Sequence, residues 1–384
     1  MFNKKVLTKL IVALIVANAL ILALKADNFV SVPMLQISVV HAESAKNHYN
    51  NGFRHSEAGN YNEAIAEFTK AIELNPNLTG AYYKRGNLYR KIKNYNAAIA
   101  DYTKAIALNP NYATYYSNRG NTYFRIQNYK AAIIDYSKAI ELNPQYVDLY
   151  NNRGVAYYNI QNYTEAIADF SKMIELNPND AGMYNNRGVA YDEMKNYTQA
   201  ILDYTRAIEI NPNFVDAYDN RGNAYVNEEN YTAAIADYTK AIELNPQYAQ
   251  TYNNRGYAYD EIGNSTVAIT DYTKAIELNP NYAAAYYNRG TAYYNLKNYT
   301  EAIADYSKAI EINPNYVLAY TNRGTAYAGI GNYTAAIIDF TKAIELNPNY
   351  MVAYNNRGVC YKLMGDTTRA EADFAKARAL DYNG

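Results

Sequence analysis

A proline recurs every thirty-four residues through most of this 384-residue chain. The nine members of the series are Pro76, Pro110, Pro144, Pro178, Pro212, Pro246, Pro280, Pro314 and Pro348. Since proline disfavours helical backbone in the residue before it, each one predicts the end of a helix, as at Asn143 before Pro144. A fixed period of this length is typical of a solenoid of helix–turn–helix units.

Within each period, small and aromatic residues fall at helical spacing. In the third unit, Tyr116, Gly120 and Tyr123 indicate a first helix, and Ala132 and Tyr136 indicate a second. Small residues such as Gly120 and Ala132 allow two helix backbones to approach closely, and the tyrosines fill the space around the crossing. One such pair cannot bury its apolar face alone, so its stability must come from its neighbours.

A short polar segment separates the two helices, as in Gln127-Asn128-Tyr129. Asparagine tolerates the left-handed conformation at a helix end, so we expect Asn128 to make this turn. In five units the segment reads Asn-Tyr-Thr, as at Asn230, and we expect the threonine to cap the second helix.

This pattern resembles the tetratricopeptide repeat, whose signature has Trp, Leu, Gly and Tyr on the first helix and Ala, Phe and Pro afterwards. Tyr replaces the signature Trp in nine units, His48 replaces it in the first, and Arg replaces the Leu, as at Arg119. The resemblance implies an all-α solenoid that winds into a right-handed superhelix, with first helices lining a concave groove. The ten predicted repeats are 45–78, 79–112, 113–146, 147–180, 181–214, 215–248, 249–282, 283–316, 317–350 and 351–384.

The terminal repeats depart from the pattern. In the tenth, Glu371 and Arg378 replace isoleucines of earlier repeats, such as Ile337 and Ile344. The first repeat carries His48 and other polar substitutions. Solenoids need polar outer faces at their ends, so we expect both repeats to act as caps.

Residues 1–44 have a different character. Three lysines precede an apolar run from Leu10 to Leu24, which is too short for a full bilayer span and typical of a signal peptide. A small-residue pattern predicts cleavage after Ala42. The alternative is an uncleaved membrane anchor formed by residues 6–24. Both interpretations place the repeats outside the cytoplasm, in the periplasm, in the medium or on the outer face of the membrane.

Composition excludes several function classes. A formal net charge of −1 gives no general attraction for nucleic acid. One cysteine, Cys360, cannot form an intrachain disulfide, and we expect it to be a buried structural thiol. With three histidines, a Cys/His metal site is not expected. No catalytic or cofactor motif stands outside the repeat, so we expect a monomer without enzymatic activity, metal or cofactor.

Most of the charges recur at fixed positions. Each second helix carries an acid and, three residues later, a base, as in Asp135 and Lys138. These positions are neighbours on a helix, so we expect them to pair with each other and to serve structure.

The charges that do not recur suggest a polarised groove. Family geometry directs them to the concave face, and they comprise the basic Lys84, Arg90, Lys91 and Arg125, and the acidic Asp192, Glu193, Asp216, Asp219, Asp260 and Glu261. A ligand with basic residues opposite repeats five to seven would be favoured. The alternative is an ordinary solvated face whose charges have drifted.

A row of asparagines is the second candidate site. The row contains Asn118, Asn152, Asn186, Asn220, Asn254, Asn288, Asn322 and Asn356. Helix propensity does not explain it. A primary amide offers a donor and an acceptor, which match one peptide unit of an extended ligand. The alternative is that near-identical repeats have copied a scaffold residue.

These observations predict an exported scaffold that binds a protein or peptide in its groove. One alternative is glycan or cell-wall polymer binding by the groove aromatics Tyr83, Phe124, Tyr158, Tyr257, Tyr287 and Tyr294. A less favoured alternative is an intracellular adaptor resembling a co-chaperone. An enzyme would have to use clustered carboxylates such as Asp192 and Glu193.

Overall fold

The structure is a computed structural model that describes residues 31–381, with side chains over residues 39–380. This range contains twenty α-helices and no strand. The helices are α1 (Ser31–Glu57), α2 (Tyr61–Leu74), α3 (Thr79–Lys91), α4 (Tyr95–Leu108), α5 (Ala113–Arg125), α6 (Tyr129–Leu142), α7 (Val147–Asn159), α8 (Tyr163–Leu176), α9 (Ala181–Glu193), α10 (Tyr197–Ile210), α11 (Val215–Asn227), α12 (Tyr231–Leu244), α13 (Ala249–Glu261), α14 (Ser265–Leu278), α15 (Ala283–Asn295), α16 (Tyr299–Ile312), α17 (Val317–Gly329), α18 (Tyr333–Leu346), α19 (Met351–Leu363) and α20 (Thr367–Asp381). The predicted all-α repeat architecture is confirmed.

The helices are arranged as tandem antiparallel pairs. From α3 onward, every first helix begins at the residue where the sequence period places the start of a repeat. The chain forms two compact units, one ending at Leu176 and the other beginning at Asn177. Within each unit, a helix packs on its partner in the repeat, and the second helix also packs on the first helix of the next repeat.

Proline ends the second helices as predicted. Helix α6 stops at Leu142, two residues before Pro144, and Asn143 has extended backbone angles of φ −146° and ψ 84°. The Asn143 amide still donates to the carbonyl of Ala139 at 2.9 Å. The last intrahelical bond is therefore retained while the chain turns away.

The turn inside each repeat differs from the prediction in two respects. The left-handed residue is the one before the asparagine, since Gln127 has φ 60° and Asn128 has φ −83°. In five repeats the asparagine side chain instead caps the second helix, and that of Asn128 accepts a hydrogen bond from the Ala131 amide at 3.3 Å. Asn230 does the same with Ala233, so the expected threonine cap was wrong.

Glycine and an aromatic residue, either Tyr or Phe, form the crossing of each helix pair. Tyr136 is 1% exposed, and a Cβ added to Gly120 would lie 2.9 Å from its ring. At Gly222 the corresponding distance to the Tyr238 ring is 2.6 Å. No side chain larger than hydrogen fits there without displacing the tyrosine, so the predicted role of Gly120 is confirmed.

The predicted pairing of the recurrent charges is wrong in repeats two to ten. In the third repeat, Asp135 accepts two hydrogen bonds from Arg119 on the first helix, at 2.8 and 2.7 Å. Lys138 instead contacts Glu141 at 2.6 Å on the helix surface. A planar guanidinium matches both carboxylate oxygens, and this match outweighs sequence proximity. The first repeat has no such arginine, and there Lys70 does pair with Glu67, at 3.2 Å.

Each arginine also connects two repeats. Besides its carboxylate, Arg119 donates to the hydroxyl of Thr103 in the preceding repeat at 2.9 Å. The guanidinium carbon of Arg119 also lies over the rings of Tyr116 and Tyr123, at 6.0 and 5.9 Å from their centres. The carboxylate, hydroxyl and rings together replace much of the solvation lost when the guanidinium is buried.

The N-terminal part of α1 extends beyond the repeat pattern. The helix begins at Ser31, fourteen residues before the predicted start of repeat one, and it contains Ala42. The predicted signal or anchor core, residues 6–24, lies outside the described residues. Over residues 31–381, no helix is both long enough and apolar enough to span a bilayer.

The terminal repeats carry polar outer positions. Glu371 and Arg378 are both exposed on α20, as expected for a cap. In repeat one, His48 contacts Glu67 at 2.7 Å. The predicted burial of Cys360 is confirmed, since its side chain packs beside Phe340 and burial raises its pKa.

We expect Arg221→Gln to lower the free energy of unfolding by about 3–5 kcal/mol, because it leaves the carboxylate of Asp237 buried without its ion partner. Lys240→Gln in the same repeat is the matched control, since it removes the exposed pair with Glu243. We expect no measurable change from that control. Urea unfolding followed by circular dichroism checks both, and equal effects would contradict the assignment.

Candidate functional site

The first helices of successive repeats form one wall of each unit. In the first unit α1, α3, α5 and α7 contact one another in series, and in the second unit α9, α11, α13, α15, α17 and α19 do so. Side chains that project from this wall at equivalent positions therefore form rows along it. The candidate asparagines of the sequence occupy one such set of equivalent positions.

In the first unit the asparagine row links neighbouring repeats. The Asn118 amide donates to the hydroxyl of Tyr83 in repeat two at 3.1 Å. The Asn152 amide donates to Oδ1 of Asn121 in repeat three at 3.3 Å. Both asparagines are half-buried, so they are fixed in orientation and still reach the surface.

The second unit repeats this arrangement. Asn220 donates to Asn185 at 3.1 Å, and Asn254 donates to Asn223 at 3.1 Å. Two further bonds run from Asn288 to Asn253 at 3.0 Å and from Asn322 to the Tyr287 hydroxyl at 3.0 Å. Asn186 and Asn356 occupy the same row and are likewise half-buried.

Each of these inter-repeat bonds uses one of the two N–H donors of a primary amide. A primary amide also has a second N–H and a carbonyl oxygen, which are the groups that can pair with a ligand. Because the first N–H is already bonded to the scaffold, the amide has lost its rotational freedom before a ligand arrives, which lowers the entropic cost of binding. Asn322 also lines a cavity of about 210 Å³ with Thr291 and Tyr294.

A second set of asparagines, which the sequence reasoning missed, supports the row. Oδ1 of Asn121 accepts from the Tyr136 hydroxyl at 2.8 Å as well as from Asn152. Asn223 accepts from Tyr238 at 2.7 Å and from Asn254 in the same way. Asn121 and Asn223 are 102 residues apart, which is three repeat lengths, and this recurrence could have identified them from the sequence. These amides connect the buried tyrosines to the surface row.

The basic candidates lie together only in part. Lys84, Arg90 and Lys91 of α3 line one pocket. The ammonium groups of Lys84 and Lys91 lie over the rings of Phe53 and Tyr61, at 5.3 and 4.5 Å. Arg125 is exposed on α5 and is not among the residues lining that pocket.

Among the acidic candidates, Asp192 is half-buried and one of its oxygens, Oδ1, has no hydrogen-bond partner. Burial raises the pKa of Asp192, and the neighbouring Glu193 raises it further. Glu193 itself is exposed at the end of α9. This pair presents negative charge on the wall of the second unit.

The other acidic candidates have different roles. Asp219 is 7% exposed and accepts from the Thr251 hydroxyl at 2.8 Å, so it connects two repeats instead of facing the groove openly. Asp260 is half-buried and bonded to Ser265, and burial raises its pKa. Asp216 and Glu261 are exposed.

The aromatic candidates are mostly packed against neighbours. Phe124 and Tyr294 make ring contacts with the following tyrosines, at 5.2 and 5.4 Å, and Tyr158 contacts Tyr163. Tyr83 and Tyr287 accept from the asparagine row. Tyr257 is 40% exposed and offers the most open ring face of the six.

Within the described residues, no three His, Cys, Asp or Glu side chains are grouped as metal ligands. The rows offer amide donors and acceptors and separated charges. Such groups can form hydrogen bonds and ion pairs with a polar chain.

Matches to known family models cover nearly the whole repeat array. Models described as tetratricopeptide repeat match residues 147–180, 181–214, 283–316 and 317–350, and another matches 203–236 and 340–372. A model described as TPR repeat matches residues 55–92, 86–127, 120–161, 222–263 and 261–297. These matches overlap to cover residues 55–372. No curated protein is significantly similar to the chain.

Several solved structures resemble the chain. A MamA protein is 30% identical over 44% of this chain and 92% of its own, with a TM-score of 0.41. YrrB, described as a TPR protein with an unusual peptide-binding site, is 28% identical over 48% of this chain and 95% of its own, with a TM-score of 0.42. The C-terminal part of a repeat protein from Cytophaga hutchinsonii is 24% identical over 60% and 95%, with a TM-score of 0.50.

Asp192→Asn should raise the stability of the protein at pH 7. A carboxyl whose pKa is raised in the folded state favours the protonated form, so its ionisation destabilises the fold as pH rises through that pKa. We expect the gain from Asp192→Asn to shrink as pH falls towards the ordinary aspartate pKa of about 4. Thermal unfolding between pH 4 and pH 8 tests this, with the exposed Asp216→Asn as control. A gain that grew at low pH would contradict it.

Proposed function

Because this chain belongs to the tetratricopeptide repeat family, we propose that it is a non-catalytic interaction scaffold that binds an extended peptide segment of a protein partner along its first-helix wall. The observation that carries the proposal is the asparagine row. Its amides stand at the same register on successive repeats, and six of the eight donate hydrogen bonds of 3.0 to 3.3 Å to the preceding repeat.

An extended peptide fits such a row because its backbone presents one N–H and one C=O per residue. The free amide donor and carbonyl of each asparagine bind these groups without regard to the ligand's side chains. Sequence preference then comes from the charges beside the row, with Asp192 and Glu193 favouring basic side chains in the second unit.

Glycan binding is the second candidate, and Tyr257 is the observation that favours it, since its ring is 40% exposed. The other groove aromatics lie against neighbouring rings or accept hydrogen bonds from the asparagine row. Stacking on sugars would therefore depend on few ring faces. Tyr257→Ala should abolish glycan binding and leave peptide binding nearly unchanged.

To test the peptide site, 12-residue peptides are selected from a displayed library on the full chain, and their binding is measured by fluorescence anisotropy. We expect the triple variant Asn220→Ala, Asn254→Ala, Asn288→Ala to bind the selected peptides roughly tenfold to a hundredfold more weakly, as the loss of two or three hydrogen bonds predicts.

The matched control replaces three exposed second-helix threonines in the same repeats, with Thr232→Ala, Thr266→Ala and Thr300→Ala. It should bind like the unaltered protein. Because the asparagines also link repeats, unfolding curves accompany the measurement. Equal affinity of both triple variants, at equal folded fraction, would contradict a role for the row.

We further propose that the protein is exported, on the evidence of the charged and apolar segments that precede residue 25. Cleavage after Ala42 would shorten α1 to residues 43–57. N-terminal sequencing of the protein isolated from its host cells should find Glu43 first. A chain that retains Met1 in the membrane fraction would indicate the anchor, and one that retains it in the cytosol would contradict export.

A further inference from the structure

A pocket of about 420 Å³ lies where repeats one and two meet. One residue of α1 and five of α3 line it, namely Ser56, Lys84, Asn87, Leu88, Arg90 and Lys91. Three of these side chains are cationic, two more can donate hydrogen bonds, and no carboxylate is among them. The lining of the pocket therefore contains hydrogen-bond donors and three positive charges, and no carboxylate among its residues neutralises these charges.

Arg90 is the lining residue of this pocket that has an unsatisfied donor. It is half-buried, and its Nε has no hydrogen-bond partner. By contrast, Arg85 on the same helix binds both oxygens of Asp101, at 2.8 and 2.7 Å. A buried donor without an acceptor costs free energy, which an anionic ligand would recover.

The two lysines are held without being neutralised. The Lys84 ammonium lies 5.3 Å from the centre of the Phe53 ring, and the Lys91 ammonium lies 4.5 Å from that of Tyr61. A cation over an aromatic face is positioned by the ring and keeps its full charge. Both ammonium groups are thus placed at the pocket and available to an anion.

The cluster is specific to this junction within the first unit. At the positions of Lys84, Arg90 and Lys91, helix α5 has Asn118, Phe124 and Arg125, and helix α7 has Asn152, Tyr158 and Asn159. The three cations are therefore not a product of the repeat pattern, since the next two repeats have asparagine and aromatic side chains at the first two positions.

We propose that this pocket binds a phosphoryl group. A phosphate monoester carries a charge of about −1.5 to −2 at pH 7 and three acceptor oxygens, whereas a carboxylate carries one charge and two oxygens. The phosphoryl group matches the forked guanidinium of Arg90, the two ammonium groups and the amide of Asn87. It arrives either as free phosphate or as a phosphate ester on the bound peptide, and the second source rests on the proposed function.

Titration calorimetry of the full chain with inorganic phosphate and with O-phosphoserine tests the proposal, and L-aspartate serves as the carboxylate probe. We expect both phosphates to bind more tightly than L-aspartate. Arg90→Gln should weaken phosphate binding about tenfold, the effect of one charge-assisted hydrogen bond. Lys130→Gln, which removes an exposed cation of α6 outside the pocket, should leave binding unchanged.

Three results would overturn the proposal: equal phosphate affinity of Arg90→Gln and the unaltered chain, equal loss with Lys130→Gln, or tighter binding of L-aspartate than of O-phosphoserine. Circular dichroism checks that Arg90→Gln folds. The exposed Lys91→Gln gives a second variant, which should also weaken binding. The triple asparagine variant of the second unit should bind inorganic phosphate normally, so this test and that of the peptide site fail independently.

Discussion

The forked ion pair between the first-helix arginine and the second-helix aspartate is the interaction on which the rest of the array depends. It closes the helix pair of each repeat from two to ten, as between Arg119 and Asp135, and Arg119 also binds Thr103 of the previous repeat. A buried charge tolerates only a complete set of partners, so the pair fixes the relative position of three helices. Apolar packing around Tyr136 supplies stability but would tolerate several arrangements of similar volume.

The geometry of the asparagine row follows from the helix positions that these ion pairs fix. Asn254 can reach Asn223, thirty-one residues earlier, because the repeats stack at one fixed offset. The same bond that connects two repeats also fixes the amide that is proposed to hold a ligand. Stability and recognition are therefore coupled along this wall, and a substitution in the row is expected to affect both. The pocket around Arg90 is different, since its cations serve no described ion pair within the scaffold.

Sequence reasoning failed where partners are distant in the chain. Asp135 and Lys138 are three residues apart, and the period suggested that they pair, but Asp135 binds Arg119, sixteen residues earlier. Helical spacing identifies which side chains are neighbours on one helix. It does not show which side chains of a second helix will contact them. The prediction for the turn within the repeat was wrong for a different reason. Asparagine suits both a left-handed position and an N-cap, and the neighbouring Gln127 takes the left-handed one.

The sequence by itself determined the repeat, its length and the helix ends, because proline, glycine and the spacing of small residues act within a few positions of the backbone. It also identified the asparagine row and the uneven charges as candidate sites. Only the tertiary structure decided what these side chains contact. The Asp219 carboxylate accepts a hydrogen bond from Thr251, and Asn220 donates one to Asn185 in the preceding repeat. Lys84, Arg90 and Lys91 line one pocket. These contacts depend on the offset between stacked helices, which the packing of whole repeats sets.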